Sequence, residues 1–209
     1  MRGLLLKDFY MAIKYCRAYL LIAAVFTVVS FFNRDNLFLV FYPCMICGII
    51  PVNLLAYDER SRWLSYSETM PYTKAQIVSG KYIMGLLAQG AMLLITGISQ
   101  AVQMRLDGSF MLKEYLVIMS LILILSLLSS SISLPFIFKL GVEKGRMAYY
   151  IMIGVICGGS LVLSKALTKM GEQTIRMNGI LLLVLAVGIG IYVLSWYMSI
   201  VFFQKREIH

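Results

Sequence analysis

Charge is scarce in this chain. Of its 209 residues only 14% are Asp, Glu, Lys or Arg, while 60% are hydrophobic. Soluble domains carry about a quarter charged residues, so an ordinary water-soluble fold is excluded. His209 is the only histidine. There is no HExxH, no GxSxG and no carboxylate in the middle of an apolar run, so intramembrane proteolysis has no constellation to work with. A Walker A loop is missing too, which removes ATP hydrolysis by the chain itself. Ionisable residues are confined to the ends of apolar runs, an absence that argues against a proton- or sodium-driven carrier. No segments of about ten residues alternate in polarity, so a transmembrane β-barrel is excluded. The four cysteines (Cys16, Cys44, Cys47, Cys157) lie in or beside apolar runs and offer no external disulfide framework. Cys44-Met45-Ile46-Cys47 has the spacing of a redox or metal motif. It sits in an apolar run with no second pair, and reads as small packing residues.

What is present is apolar sequence in membrane-length pieces. A helix crosses the hydrocarbon core with roughly 20 residues, and lipid forces each such segment to satisfy its own backbone. Six runs qualify: Ala18–Phe32, Leu37–Ala56, Tyr82–Met104, Tyr115–Phe138, Met147–Leu163 and Gly179–Phe203. The expectation is an all-α polytopic membrane protein, one transmembrane domain over residues 1–209 with six transmembrane helices and both termini on one side. Counted that way, one side holds 13 Lys and Arg residues and the other 6. The Lys/Arg rule then makes the richer side cytoplasmic, with both termini and the Tyr57–Lys81 loop on it. The net charge of +9 thereby faces anionic lipid headgroups rather than nucleic acid. Met1–Arg17 is too polar for a cleavable signal, so the first span is expected to act as the targeting signal.

Residues 1–17 have apolar positions at helical spacing (Leu5, Phe9, Ala12 or Ile13, Cys16) among Lys7, Lys14 and Arg17. They read as an interfacial helix, or more plainly as a basic flank. The second run carries Pro43, Gly48 and Pro51, residues that kink helices and are tolerated in membranes. Ser126, Ser129, Ser130 and Ser133 form a stripe on the fourth run; Ser126, Ser130 and Ser133 either line a polar path or pack helices together. Gly154 and Gly158 allow close helix approach, within one subunit or between two. Residues 164–178 interleave apolar and charged side chains and read as an outer amphipathic loop.

The longest polar stretch is Tyr57–Lys81, YDERSRWLSYSETMPYTKAQIVSGK. Asp58–Met70 is expected to form a short helix with Trp63, Tyr66 and Met70 on one face. Pro71 breaks it, and Thr73 caps a second helix that runs through Ile77 and Lys81 into the third span. Such an element suits insertion into a cleft on a soluble partner. The alternative is a helix lying on lipid with Trp63 and Tyr66 as anchors.

Two stretches, LLLKDFYMAIK near the start and AYDERSRWLSYSETMPYTKAQIVSGKYI after the second run, carry a resemblance. They resemble ABC-2-type permeases of bacterial ATP-binding-cassette exporters, in particular the small six-span branch that includes phenol-soluble-modulin exporter permeases. The matching positions are Lys7-Asp8, Asp58-Glu59-Arg60 with Trp63, and Met70-Pro71 through Lys81-Tyr82. The resemblance implies that residues 58–80 are a cytoplasmic coupling helix between spans two and three, seated in a separate ATPase subunit. Asp58, Glu59, Arg60, Trp63, Tyr66, Glu68, Pro71 and Tyr72 would make that contact, and Lys7, Asp8 and Phe9 would belong to the interfacial helix. It further implies no cofactor in this chain, with ATP and Mg held by the partner. It implies a second permease copy, a bacterial cytoplasmic membrane location, and export of hydrophobic or amphipathic cargo such as cytolytic peptides. Two competing readings remain: a substrate-capture subunit of a vitamin uptake system, and a membrane immunity or sensor protein. Capture subunits lack a long structured loop after the second span, so Tyr57–Lys81 speaks against the first.

Overall fold

The computed structural model describes residues 2–32, 37–67, 69–106, 108, 111–142, 144, 147, 150–151, 154 and 177–205. Glu68, Gly158, most of the fifth apolar run and nearly all of the 164–178 segment lie outside these. Among the described residues the named elements are all helices: α1 (Arg2–Tyr15), α2 (Arg17–Phe32), α3 (Leu37–Cys47), α4 (Ile50–Arg60), α5 (Trp63–Ser67), α6 (Lys74–Leu106), α7 (Leu112–Leu140) and α8 (Met177–Lys205).

α1 meets α2 at Cys16 with a bend of 68°. The stripe Leu4, Asp8, Ala12 and Cys16 is buried, each one four residues on from the last. Residues four apart share one helix face. Leu6, Phe9, Tyr10 and Ile13 are exposed on the rest of the helix. α1 therefore packs on protein by one narrow stripe and offers an apolar surface elsewhere, the form an interfacial helix requires. Gly80 makes the approach of α1 to α6 possible, since a Cβ there would lie 2.6 Å from Leu4 Cδ2.

The second apolar run is not one helix. It breaks at Gly48–Ile49, and α4 restarts with Pro51 in its first turn, where a missing N–H costs nothing. α4 then outruns the apolar run and ends at Arg60. The expected helix over Asp58–Met70 is thus divided: α4 absorbs its start, and α5 forms separately. The divider is Arg62, whose φ of 53° is left-handed and whose N–H donates to the Glu59 carbonyl at 3.1 Å. This is the way helices commonly end, though with arginine where glycine is usual. The turn at Met70-Pro71 and the start of α6 follow the expectation. Gln76 N–H donates to Thr73 Oγ1 at 3.3 Å and Thr73 N–H donates to Gln76 Oε1 at 3.2 Å, a reciprocal capping box.

Among the described residues, four helical stretches pass by length and composition as membrane spans: Leu39–Arg60, Lys74–Leu106, Tyr115–Leu140 and Leu185–Lys205; the bent α1–α2 pair makes a fifth. α6 runs antiparallel to α7, with Gln89 against Ser126 and Ser130, and Gly97 against Tyr115. α7 and α8, by contrast, run parallel. Ile124 lies against Gly188, Ser195 donates to the Ser131 carbonyl at 2.7 Å, and Phe138 meets Phe203.

Candidate functional site

The polar residues around Tyr57–Lys81 converge with α1 on a buried ionic cluster. Lys81 Nζ lies 2.7 Å from Asp8 Oδ1 and 2.6 Å from Asp58 Oδ2. Lys7 Nζ lies 2.8 Å from Asp58 Oδ1 and 3.5 Å from Asp8 Oδ1. Asp8, Asp58 and Lys81 are each exposed by 1% or less. Two cations and two anions thus sum to zero in a site that only Lys7, 25% exposed, opens to its surroundings, and pairing of this kind is the condition under which buried ions are tolerated. Three elements supply them: α1 gives Lys7 and Asp8, α4 gives Asp58, and α6 gives Lys81. Lys7 also sits 3.3 Å from the centroid of the Trp63 ring, which ties α5 to the same group. A partly desolvated cation over an indole face is worth about 1–2 kcal/mol.

The remaining expected residues fall into distinct environments. The Asp58 carboxylate faces inward, because both its oxygens are taken by lysines. Glu59 Oε2 accepts the Val142 N–H at 3.2 Å, linking α4 to the end of α7. Arg60 and Pro71 are exposed, Trp63 and Tyr72 are half-buried, and Tyr66 is 59% exposed. Phe9 points away from the cluster. Ser126, Ser130 and Ser133 are buried between helices. Ser130 Oγ accepts from Gln89 Nε2 at 2.7 Å, while Ser126 and Ser133 donate to carbonyls of their own helix. Of the three, Ser130 is the one whose hydroxyl is bonded to another helix. Gly154 is exposed with no atom within 4 Å of where a Cβ would lie.

Lys81 is the residue the sequence reading undervalued, since it looked like one more basic group at a membrane boundary. Its pairing with Asp8 spans 73 positions and leaves no local pattern. Arg62 was likewise passed over, because a left-handed φ at arginine has no signature. A second buried network lies next to Lys81. Tyr82 OH shares hydrogen bonds of 2.7 Å with both Ser195 and Ser199, Tyr192 OH donates to the Tyr82 carbonyl, and Trp196 Nε1 donates to Ser79 Oγ. The start of α6 is therefore fixed on one side to α1 and α4 and on the other to α8.

Long apolar helices joined at one end by an ion-paired, sequence-distant clamp define a polytopic membrane protein with a braced polar segment. A family model described as ABC-2 family transporter protein matches residues 3–204. The chain belongs to that family. Its role is that of a permease subunit of an ATP-binding-cassette transporter, with ATPase activity in a separate subunit. Comparisons with curated proteins and with solved structures found no match.

Proposed function

We propose that the chain is an exporter permease in a bacterial cytoplasmic membrane, similar to phenol-soluble-modulin exporter permeases. It works as a homodimer with two ATPase subunits, and residues 58–80 are its coupling element. Both termini and that element face the cytoplasm. ATP and Mg bind the partner, and the cargo is hydrophobic or amphipathic, with cytolytic peptides the leading class.

The observation that carries this reading is the ionic clamp. A coupling element transmits force only if its own chain holds it rigidly to the spans. Here Asp58 and Lys7 brace α4 and α5 against α1 and α6, while Arg60, Arg62 and Tyr66 remain outward for a partner. Nucleotide-dependent closure of the ATPase pair then favours one arrangement of the spans through that brace. A six-span count is supported by the parallel run of α7 and α8. The chain leaves α7 at one end of the bundle and enters α8 at the other, so residues 141–176 join opposite ends. The exposed face Met147, Tyr150, Ile151 and Gly154 supports a contact with a second copy.

Co-purification with an ATP-binding-cassette ATPase, expected from the neighbouring reading frame, tests the reading. Tyr66→Ala and Arg60→Ala are expected to weaken ATPase capture while the permease stays folded. A chain that captures no ATPase, and tolerates deletion of Trp63–Ser67, would sink the export reading. Cargo-stimulated ATPase activity in reconstituted vesicles then tests the peptide class.

A further inference from the structure

We propose that the recess beside α4 binds the phosphodiester headgroup of an anionic phospholipid. α4 has two different faces. Asp58 points to the ionic clamp, whereas Asn53, Ala56, Tyr57 and Arg60 follow the i, i+3, i+4, i+7 spacing of the other side. That other side borders a cavity of about 740 Å³, also lined by Tyr15, Tyr19 and Lys144. The volume lies within the ~300–1,000 Å³ of small-molecule sites.

The walls have a headgroup's division of polarity. Arg60 comes from the end of α4 and Lys144 from the segment after α7, so two cations stand on two different walls. A guanidinium fork and a lysine ammonium together match phosphate oxygens. Glu59, the one carboxylate among the described lining residues, has an oxygen on the Val142 N–H and joins those two walls. Tyr15 stacks on Tyr57, with ring centroids 4.5 Å apart, and brings phenol edges to a third side. Tyr19, Ala56 and Leu140 supply the apolar part. A fully water-soluble anion would leave that part uncovered, and a cationic peptide would meet Arg60 and Lys144 directly. A lipid satisfies both halves. The recess opens where α2 begins and α4 and α7 end, the end with the Lys/Arg majority, next to which anionic lipid gathers. Only this orientation is borrowed from the reading above. The assay below needs neither an ATPase nor a sided membrane, so it can fail while that reading stands.

The test is a calorimetric titration of the full chain in neutral detergent with dihexanoyl-phosphatidylglycerol, dihexanoyl-phosphatidylcholine and inorganic phosphate in turn. Phosphatidylglycerol is expected to bind, with phosphatidylcholine and phosphate at least about tenfold weaker. Arg60→Gln with Lys144→Gln should lower phosphatidylglycerol affinity by about tenfold or more. Lys205→Gln, a charge loss at the same end but off the recess, should leave it unchanged. Ala56→Phe, which narrows the recess without altering charge, should lower it as well and covers the case of a misfolded charge variant. Equal binding of phosphatidylcholine, equal binding of phosphate, or an unchanged affinity in both the charge and the Ala56 variants overturns the proposal.

Discussion

Replacing Lys81 by methionine is the sharpest perturbation of the clamp. Lys81 is 1% exposed and touches Asp8 at 2.7 Å and Asp58 at 2.6 Å. With an effective dielectric of about 20, each contact has a gross attraction of about 6 kcal/mol. Desolvation takes back several kcal/mol per ion, so the intact cluster contributes little net stability. Methionine removes both attractions and recovers only one ion's hydration. It leaves two buried carboxylates to share Lys7, which lies 2.8 Å from Asp58 and 3.5 Å from Asp8. The expected loss is about 3–5 kcal/mol, the usual result of stranding a buried charge. A companion variant separates charge from shape. Asp8→Leu with Lys81→Met removes one charge of each sign and leaves Lys7–Asp58 as a neutral pair. It should lie within about 1 kcal/mol of the unsubstituted chain, and so be about 2–4 kcal/mol more stable than Lys81→Met alone. Reversible unfolding in mixed micelles, followed by Trp63 and Trp196 fluorescence, measures both. A Lys81→Met loss under about 1 kcal/mol would refute the reasoning. So would a double variant no more stable than the single one.

Gly80→Ala should cost about 1 kcal/mol in the same unfolding assay, because its Cβ would fall 2.6 Å from Leu4 Cδ2 and push α1 off α6; Leu4→Val should recover part of that. Tyr82→Phe removes a hydroxyl that serves Ser195 and Ser199, and should cost about 1–2 kcal/mol; a melting temperature that does not move would discount the network. Arg62→Gly relieves a left-handed φ of 53° and should stabilise the isolated permease by up to about 1 kcal/mol. The same variant should weaken ATPase capture, read by co-purification, since it also removes an outward charge.

Local chemistry was legible in the sequence and distant pairing was not. Apolar runs located the four helices that pass as spans among the described residues, because lipid imposes a length and composition on any helix that crosses it. Thr73 announced the start of α6, since a cap is a local feature of its own helix end. Charge is different. Asp58 beside Glu59 and Arg60 reads as an outward polar face, because a charge with no visible counter-ion is assigned to water. Only the fold brings Lys7 and Lys81 to it, from 51 and 23 positions away. The break at Gly48–Ile49 was half visible: Pro43, Gly48 and Pro51 marked a weak region, but not which residue would yield. The parallel run of α7 and α8 follows from the six-run count, but the faces on which they meet, as at Ser131 and Ser195, had no local trace.

The clamp also sets an order of events during synthesis. Lys7 and Asp8 emerge from the ribosome first, Asp58 follows half a hundred residues later, and Lys81 comes last. Domains are made from the N-terminus at about 5–20 residues per second, so the first two ions exist for seconds before the last is made. During that interval Lys7 and Asp8 balance each other, and the addition of Asp58 leaves one negative charge in excess until Lys81 arrives. The start of α6, rather than any part of α1, is what completes the clamp.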